Sequence, residues 1–200
     1  MTPRRSTCSG LPESRRRGAE IYPEHLARSW TLASGEELVL RPIRHDDGER
    51  EESFVRALSR DSGYQRMLSA IKITPEWIER MTHIDYRCHM AFAVTAMKEG
   101  VEQFVGVGRY VVAPTKPTAE FALVIADARQ GQGLGRRLLE ALLEHAKEAG
   151  VDEVEGIVLA TNRAMLSLAR SLGFSVSAEP GDATVVRIRR SLAESNPQSH

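Results

Sequence analysis

The chain is short of cysteine, of net charge and of long apolar runs, and each shortage removes a class of protein. Two cysteines occur in 200 residues. Cys8 lies in a polar tail and Cys88 well inside the chain, so free thiols in a reducing compartment are expected, not a disulfide framework. Lys plus Arg and Asp plus Glu balance at 27 each, so the chain as a whole makes no electrostatic case for nucleic acid or a membrane. No apolar run approaches the ~18 residues of a membrane-spanning helix. Aromatic residues make up only 6%, and none is interleaved with the arginines near the N-terminus, which again speaks against nucleic acid. What is there is 42% apolar and 27% charged residues, in a length suited to one domain with a sizeable core.

Residues 1–20 carry five arginines against two glutamates and almost no apolar periodicity. They read as a disordered basic tail or an overextended start, with docking to an acidic partner as the alternative. Arg4-Arg5 is followed by no hydrophobic segment, so a twin-arginine signal is not expected, and the acids and missing amphipathic pattern argue against a transit peptide. Residues 21–192 read as one domain and 193–200 as a polar tail. Within the domain, Trp30–Leu32 and Glu37–Ile43 read as strands joined by a turn at Ala33–Glu36. Asp46 or Asp47 is expected to cap a helix bearing Phe54, Val55 and Leu58. Thr74 and Pro75 open another, with Trp77, Ile78 and Met81 turned inward. The stretch between Ser59 and Thr74 reads as a loop. Met90–Met97 and Gln103–Val112 read as central antiparallel strands around a Lys98–Val101 turn. Gly106 and Gly108 mark a bulge or a close approach there. Val154–Leu159, Phe174–Ser177 and Thr184–Ile188 read as strands, and Arg163–Leu172 as a helix.

The most informative stretch runs from Glu120 to Leu143. Phe121–Ala126 reads as a buried strand and Gln130–Gly135 as a tight turn. Leu134, Leu138, Leu139, Leu142 and Leu143 then fall on one helical face. Glycines at 131, 133 and 135 allow unusual backbone angles and close approach to N–H groups. The first N–H groups of a helix lack partners and carry partial positive charge, so a phosphate or pyrophosphate is a natural guest, and Arg136 and Arg137 add to the sign. A P-loop is excluded, because no Lys-Ser/Thr follows Gly135, and the third glycine is misplaced for a dinucleotide fold. A strand–helix turn that binds nothing is the bland alternative.

What fits is Gln130-x-x-Gly133-x-Gly135 followed by Asn162-Arg-Ala-Met-Leu-Ser-Leu-Ala-Arg-Ser-Leu-Gly-Phe174. Together these resemble the GNAT acetyltransferase family over roughly residues 38–190. With Leu40-Arg-Pro-Ile-Arg44 and Ala119-Glu-Phe-Ala122, the chain is similar to the acetyltransferase domain of bacterial Pat-type protein lysine acetyltransferases. The resemblance implies a single α+β (mixed α/β) domain. Its central, mostly antiparallel twisted sheet would be flanked by helices and splayed into a V between 120–126 and 153–160. It implies acetyl-CoA as co-substrate and no metal. Gln130, Gly131, Gln132, Gly133, Leu134, Gly135 and Arg136 would cradle the pyrophosphate. Main-chain groups near Val124 and Ile125 would pair with the pantetheine, and Asn162 would touch that arm or cap a helix.

Glu120 is the candidate general base. Alternation puts Phe121, Leu123 and Ile125 on one face of the strand and Glu120 with Ala122, Val124 and Ala126 on the other. Small neighbours there leave room for an acceptor. A lysine amine, with a pKa of ~10.4, must lose a proton before it attacks, and a carboxylate can take it. A solvated glutamate at a strand start is the alternative. Many family members have a tyrosine seven residues after the Asn to protonate the leaving thiolate. Ala169 stands there, and the general-acid role is unassigned. His83, Asp85, Cys88 and His89 match no strong zinc spacing and read as structural. The expected activity is acetylation of a protein lysine, in a cytoplasmic monomer or homodimer, without nucleic acid or membrane. A small-amine acceptor and a non-catalytic acyl-CoA sensor are the rivals.

Overall fold

The computed structural model describes residues 21–67 and 72–193. The basic tail, Cys8 and nearly all of the C-terminal tail fall outside them. Eight strands form one sheet in the order β1-β2-β3-β4-β5-β6-β8-β7. They are β1 (Arg28–Thr31), β2 (Glu37–Pro42), β3 (His89–Lys98), β4 (Val101–Val112), β5 (Thr118–Ile125), β6 (Glu153–Leu159), β7 (Ser175–Glu179) and β8 (Asp182–Ser191). Every neighbouring pair is antiparallel except β5 with β6. The helices are α1 (Gly48–Ala57), α2 (Arg60–Met67), α3 (Pro75–Thr82), α4 (Leu134–Glu148) and α5 (Arg163–Ser171). This is the expected α+β domain.

Helix α4 buries Leu134, Leu138, Leu139, Leu142 and Leu143 against one sheet face. Gly108 lets it settle: a Cβ there would stand 2.9 Å from Leu138 Cγ and 3.0 Å from Leu142 Cδ1. The register of β3 with β4 shifts between Val94 and Thr95, a bulge beside Gly106. The two glycines in β4 thus mark both things expected of them, except that the close approach is by helix side chains and not by another backbone.

The other face carries α1 and α3. Arg109, 5% exposed, reaches from β4 to both. Its Nη2 donates to Glu51 Oε1 on α1 at 2.9 Å, and its Nη1 to the Met81 carbonyl on α3 at 3.1 Å. Tyr110, the next residue, points the opposite way and bonds His145 on α4 at 2.8 Å. Thr74 caps α3 as expected, accepting from the Trp77 N–H.

Three expectations need correction. Asp47 stands at the N-cap of α1 but caps nothing with its side chain. Its carboxylate instead accepts from Arg41 at 2.7 and 2.8 Å, from the Arg44 N–H and from Arg50. A buried guanidinium outcompetes a helix N–H as partner, because the charge-assisted bond is the stronger. The Ser59–Thr74 stretch is not all loop, since α2 occupies 60–67. Cys88 is disulfide-bonded and is not a free thiol. Bridging is decided by Cα separation in space, which spacing along the chain does not give.

His89 illustrates a cost carried by this face. Its Nε2 is buried without a hydrogen-bond partner. Burial, aided by the Arg109 charge and opposed by Asp85, pushes its pKa down to about 4. A histidine held below its unfolded value is stable when neutral and loses stability as pH falls from about 6.5 through about 4. Wild type is therefore expected to lose up to about 3 kcal/mol over that window through this group. Denaturant titrations at pH 7 and 4.5 should show a smaller difference for His89→Gln.

Candidate active site

Strand β5, the turn after it and the start of α4 form one continuous feature. Strand β5 pairs along Ala119–Ile125 with β4, but with β6 only at Thr118, Ala119 and Glu120. Beyond Glu120↔Glu155 the two strands part, which is the V-shaped splay expected. The edge of β5 that faces β6 is therefore left without a strand partner over its C-terminal half. The Ala126 N–H donates to Val105 O on the β4 side. Main-chain groups alternate in direction along a strand, so those of Val124 join the β4 ladder while those of Leu123 and Ile125 turn towards the splay. Ile125 was expected on that edge; Leu123 joins it, and Val124 lies on the other side.

After a 3-10 turn at Asp127–Arg129, Gly131 and Gly133 take φ of 76° and 79°. Neither would bring a Cβ within 4 Å of anything. Glycine is needed there for the left-handed backbone and not for space. Gly133 is the N-cap of α4; it makes no side-chain cap bond, and no acidic residue occupies the first helical turn. Helix geometry leaves the N–H groups of Leu134, Gly135 and Arg136 without intrahelical acceptors. The positive end of a helix, glycine-lined and free of carboxylates, suits an anion. Gln132 bonds the Ala128 carbonyl at 3.4 Å. Arg136 is held by Glu140 at 3.2 Å and Ser171 at 2.7 Å, and Arg137 stacks over Trp30 at 4.8 Å.

The turn is braced on both flanks by residues that sequence reasoning missed. Asp127 Oδ1 accepts from the Ser59 and Ser62 hydroxyls at 2.7 Å each, and Oδ2 from the Ser59 N–H at 3.0 Å. These bonds hold its carboxyl down to about 2. Gln130 Nε2 donates to Ser62 Oγ at 3.2 Å and to the Ile125 carbonyl at 3.3 Å. On the other side, Arg129 forks onto Glu36 at 2.5 and 2.7 Å. The turn is thereby tied to α2 and to the β1–β2 hairpin.

Glu120 is exposed and lies in a row of residues in register across five strands. His89 on β3 pairs with Val111 on β4, Val111 with Glu120, Glu120 with Glu155 on β6, and Glu155 with Arg189 on β8. Two residues along from Glu120, Ala122 pairs with Arg109, so the row shares the face that carries α1 and α3. Val111 is 48% exposed, leaving an apolar spot beside the carboxylate. Burial works to raise Glu155, but hydrogen bonds from Arg189 and Arg187 outweigh it and hold this carboxyl below its ordinary value. The Glu155–Arg187–Arg189 cluster went unread in the sequence. Its one signal is acids at 153 and 155 and bases at 187 and 189, each with the two-residue period of a strand face.

Asn162 is the N-cap of α5, its side-chain oxygen accepting from the Met165 N–H at 3.0 Å. Ala169 is fully buried, so a phenol there would require a differently packed core. Among the described residues no three His, Cys, Asp or Glu side chains converge as a metal site. Asp85 instead organises its turn, accepting from the N–H groups of Arg87, Cys88 and His89 at 2.9 Å each.

A strand edge left open beside a glycine turn and an uncapped helix start, with a carboxylate at the fork, can take an elongated anionic ligand. A family model for the acetyltransferase (GNAT) domain matches residues 37–175, and the chain belongs to that family. An acetyltransferase of Pseudomonas aeruginosa, PA5475, is 34% identical over 175 residues, covering 87% of this chain and 93% of that one. Acetyltransferase Pat of Mycolicibacterium smegmatis is 31% identical over 143 residues, which are 71% of this chain but 42% of that protein. The chain thus spans less than half the length of that relative. The GNAT domain of S. lividans PAT superposes with a TM-score of 0.74 at 28% identity, covering 86% of this chain and 99% of that domain.

Proposed function

We propose that the protein is an acetyl-CoA-dependent N-acetyltransferase acting on a primary amine, foremost a protein lysine, with Glu120 as general base. The observation that carries this reading is the position of Glu120. It is a solvent-facing carboxylate at the last rung before β5 and β6 diverge, on the strand that runs into the anion-accepting turn. When bound, acetyl-CoA supplies an activated acetyl group. The N–H groups from Gly131 to Arg136 would hold its pyrophosphate, the edge of β5 without a strand partner at Leu123 and Ile125 would align its pantetheine arm, and Asn162 would border the same arm. Glu120 takes the proton of the acceptor amine, which would then attack the thioester carbonyl directly, the new amide C–N bond replacing the C–S bond and CoA leaving as its thiolate, without a covalent enzyme intermediate.

The face beside Glu120 supports a protein acceptor. It is built from half-buried and exposed charged side chains on β6, β7 and β8, a broad surface on which a lysine can be presented by a folded partner. The likeness to the PAT domain supports the same reading. Neither touches the donor's acyl length.

The test is CoA release from acetyl-CoA with a panel comprising folded acyl-CoA synthetases, N-α-acetyl-lysine, free amino acids and polyamines. Release that depends on the synthetases or on the lysine mimic, with acetyl-lysine detected by mass spectrometry, is the expected result. Turnover confined to amino acids or polyamines would move the acceptor to a small molecule. Tight acetyl-CoA binding without turnover on any amine would make the protein a sensor.

A further inference from the structure

Glu120 is not the only carboxylate at the fork, and the structure distinguishes its neighbour in a way that the donor site does not require. Glu155 faces Glu120 in register at the final rung of the parallel pair. Paired residues on adjacent strands point to the same side, with their strands ~4.8 Å apart. Both arginines that hold Glu155 use the same oxygen. Arg187 Nη1 and Arg189 Nε donate to Oε2 at 3.0 and 3.1 Å. Arg187 is shared with Glu179, at 2.7 and 2.8 Å, and Arg189 lies 4.0 Å from Glu153. The carboxylate is thus fixed in orientation, and among the described residues no group bonds its Oε1. Counting Glu120, Glu153, Glu155 and Glu179 against Arg187 and Arg189, acid outnumbers base on this patch of sheet.

We propose that Glu155 is a positioning residue for the acceptor, its Oε1 holding the ammonium form of the incoming amine beside Glu120. The inference rests on the reading of Glu120 as base. An amine arriving at neutral pH carries a proton, and two adjacent carboxylates give it a docking point before that proton is removed. A carboxylate clamped by two arginines costs no side-chain ordering when the amine arrives, and it keeps its charge after Glu120 has taken the proton. Val111, exposed on the other side of Glu120, receives the aliphatic stem of the acceptor.

The experiment is steady-state kinetics with N-α-acetyl-lysine at saturating acetyl-CoA, on wild type, Glu120→Gln, Glu155→Gln, Glu155→Asp and Arg189→Gln. Losing a hydrogen bond to a charged group is expected to raise the amine KM of Glu155→Gln roughly 10–100-fold. Its kcat, its KM for acetyl-CoA and its melting temperature should stay close to wild type. Glu155→Asp should recover part of the loss. Arg189→Gln is the discriminating variant. It removes one of the two cations on Oε2 and leaves Arg187 to keep the carboxylate oriented, so the less neutralised carboxylate should bring the amine KM below that of wild type, whereas a Glu155 that merely anchors the arginines would give no such gain. An unchanged amine KM in Glu155→Gln, or a rise in both Glu155→Gln and Arg189→Gln, overturns the proposal while leaving Glu120 in place. Wild-type activity in Glu120→Gln, or no turnover by wild type of either the lysine mimic or a folded synthetase, overturns instead the reading on which it rests.

Discussion

Glu120→Gln is expected to lower kcat for amine acetylation at pH 7 by roughly 10²–10⁴-fold, the usual contribution of a positioned general base. Affinity for acetyl-CoA should stay unchanged, because the turn from Gln130 to Arg136 and the open edge of β5 are untouched by the substitution. Isothermal titration with CoA and single-turnover acetylation separate the two quantities. The variant should also fold normally: Glu120 is exposed and engages none of the ion pairs on its face. A loss in rate with intact binding and melting temperature assigns the effect to chemistry.

Glu51→Ala is expected to have the largest effect on stability. Arg109 is almost fully buried, and Glu51 is its only carboxylate partner among the described residues. Removing one member of a buried pair leaves the other charge uncompensated at a cost of about 3–5 kcal/mol, a large share of the roughly 5–15 kcal/mol that holds a domain together. The double variant Glu51→Leu/Arg109→Met should recover most of the loss, since an apolar pair of similar volume avoids the desolvation of both ions. Thermal melts of the two variants check this. Recovery would mean that the pair fixes where α1 sits on the face of Glu120 more than it stabilises the fold. Equal loss in both variants would assign the energy to packing instead.

What was legible in the sequence is what local chemistry dictates. The strand–turn–helix around Gly131 and Gly133 could be read because a left-handed backbone asks for glycine and a packed helix for leucine at its own period. Those requirements are met within twenty residues. The face that Glu120 occupies was legible through alternation, and Thr74-Pro75 through capping. The unread features depend on partners that only the folded chain brings within reach. Helix α2 has little apolar pattern in Arg60–Met67 and is fastened by Asp127, which lies 65 and 68 residues from Ser62 and Ser59. Asp47 looked like a cap because its preference for Arg41 appears only once β2 folds beside α1. Glu155 gained its meaning from register with Glu120 on one side and Arg189 on the other, and register is set by the assembled sheet.

The most direct measurement is the pH dependence of amine acetylation, wild type against Glu120→Gln, from pH 6.5 to 9.5 at saturating acetyl-CoA. The other titratable and charged groups in the row across this face, His89, Glu155 and Arg189, are common to both proteins, so the ratio of the two rates isolates Glu120. With the base gone, only amine already deprotonated in solution can react, and below a pKa of ~10.4 that fraction rises about tenfold per pH unit. The account predicts that the advantage of wild type over the variant is large at pH 7 and shrinks steadily as pH rises. A ratio that stays constant across the range, or a variant as active as wild type at pH 7, would contradict the assignment of Glu120 as the group that takes the proton.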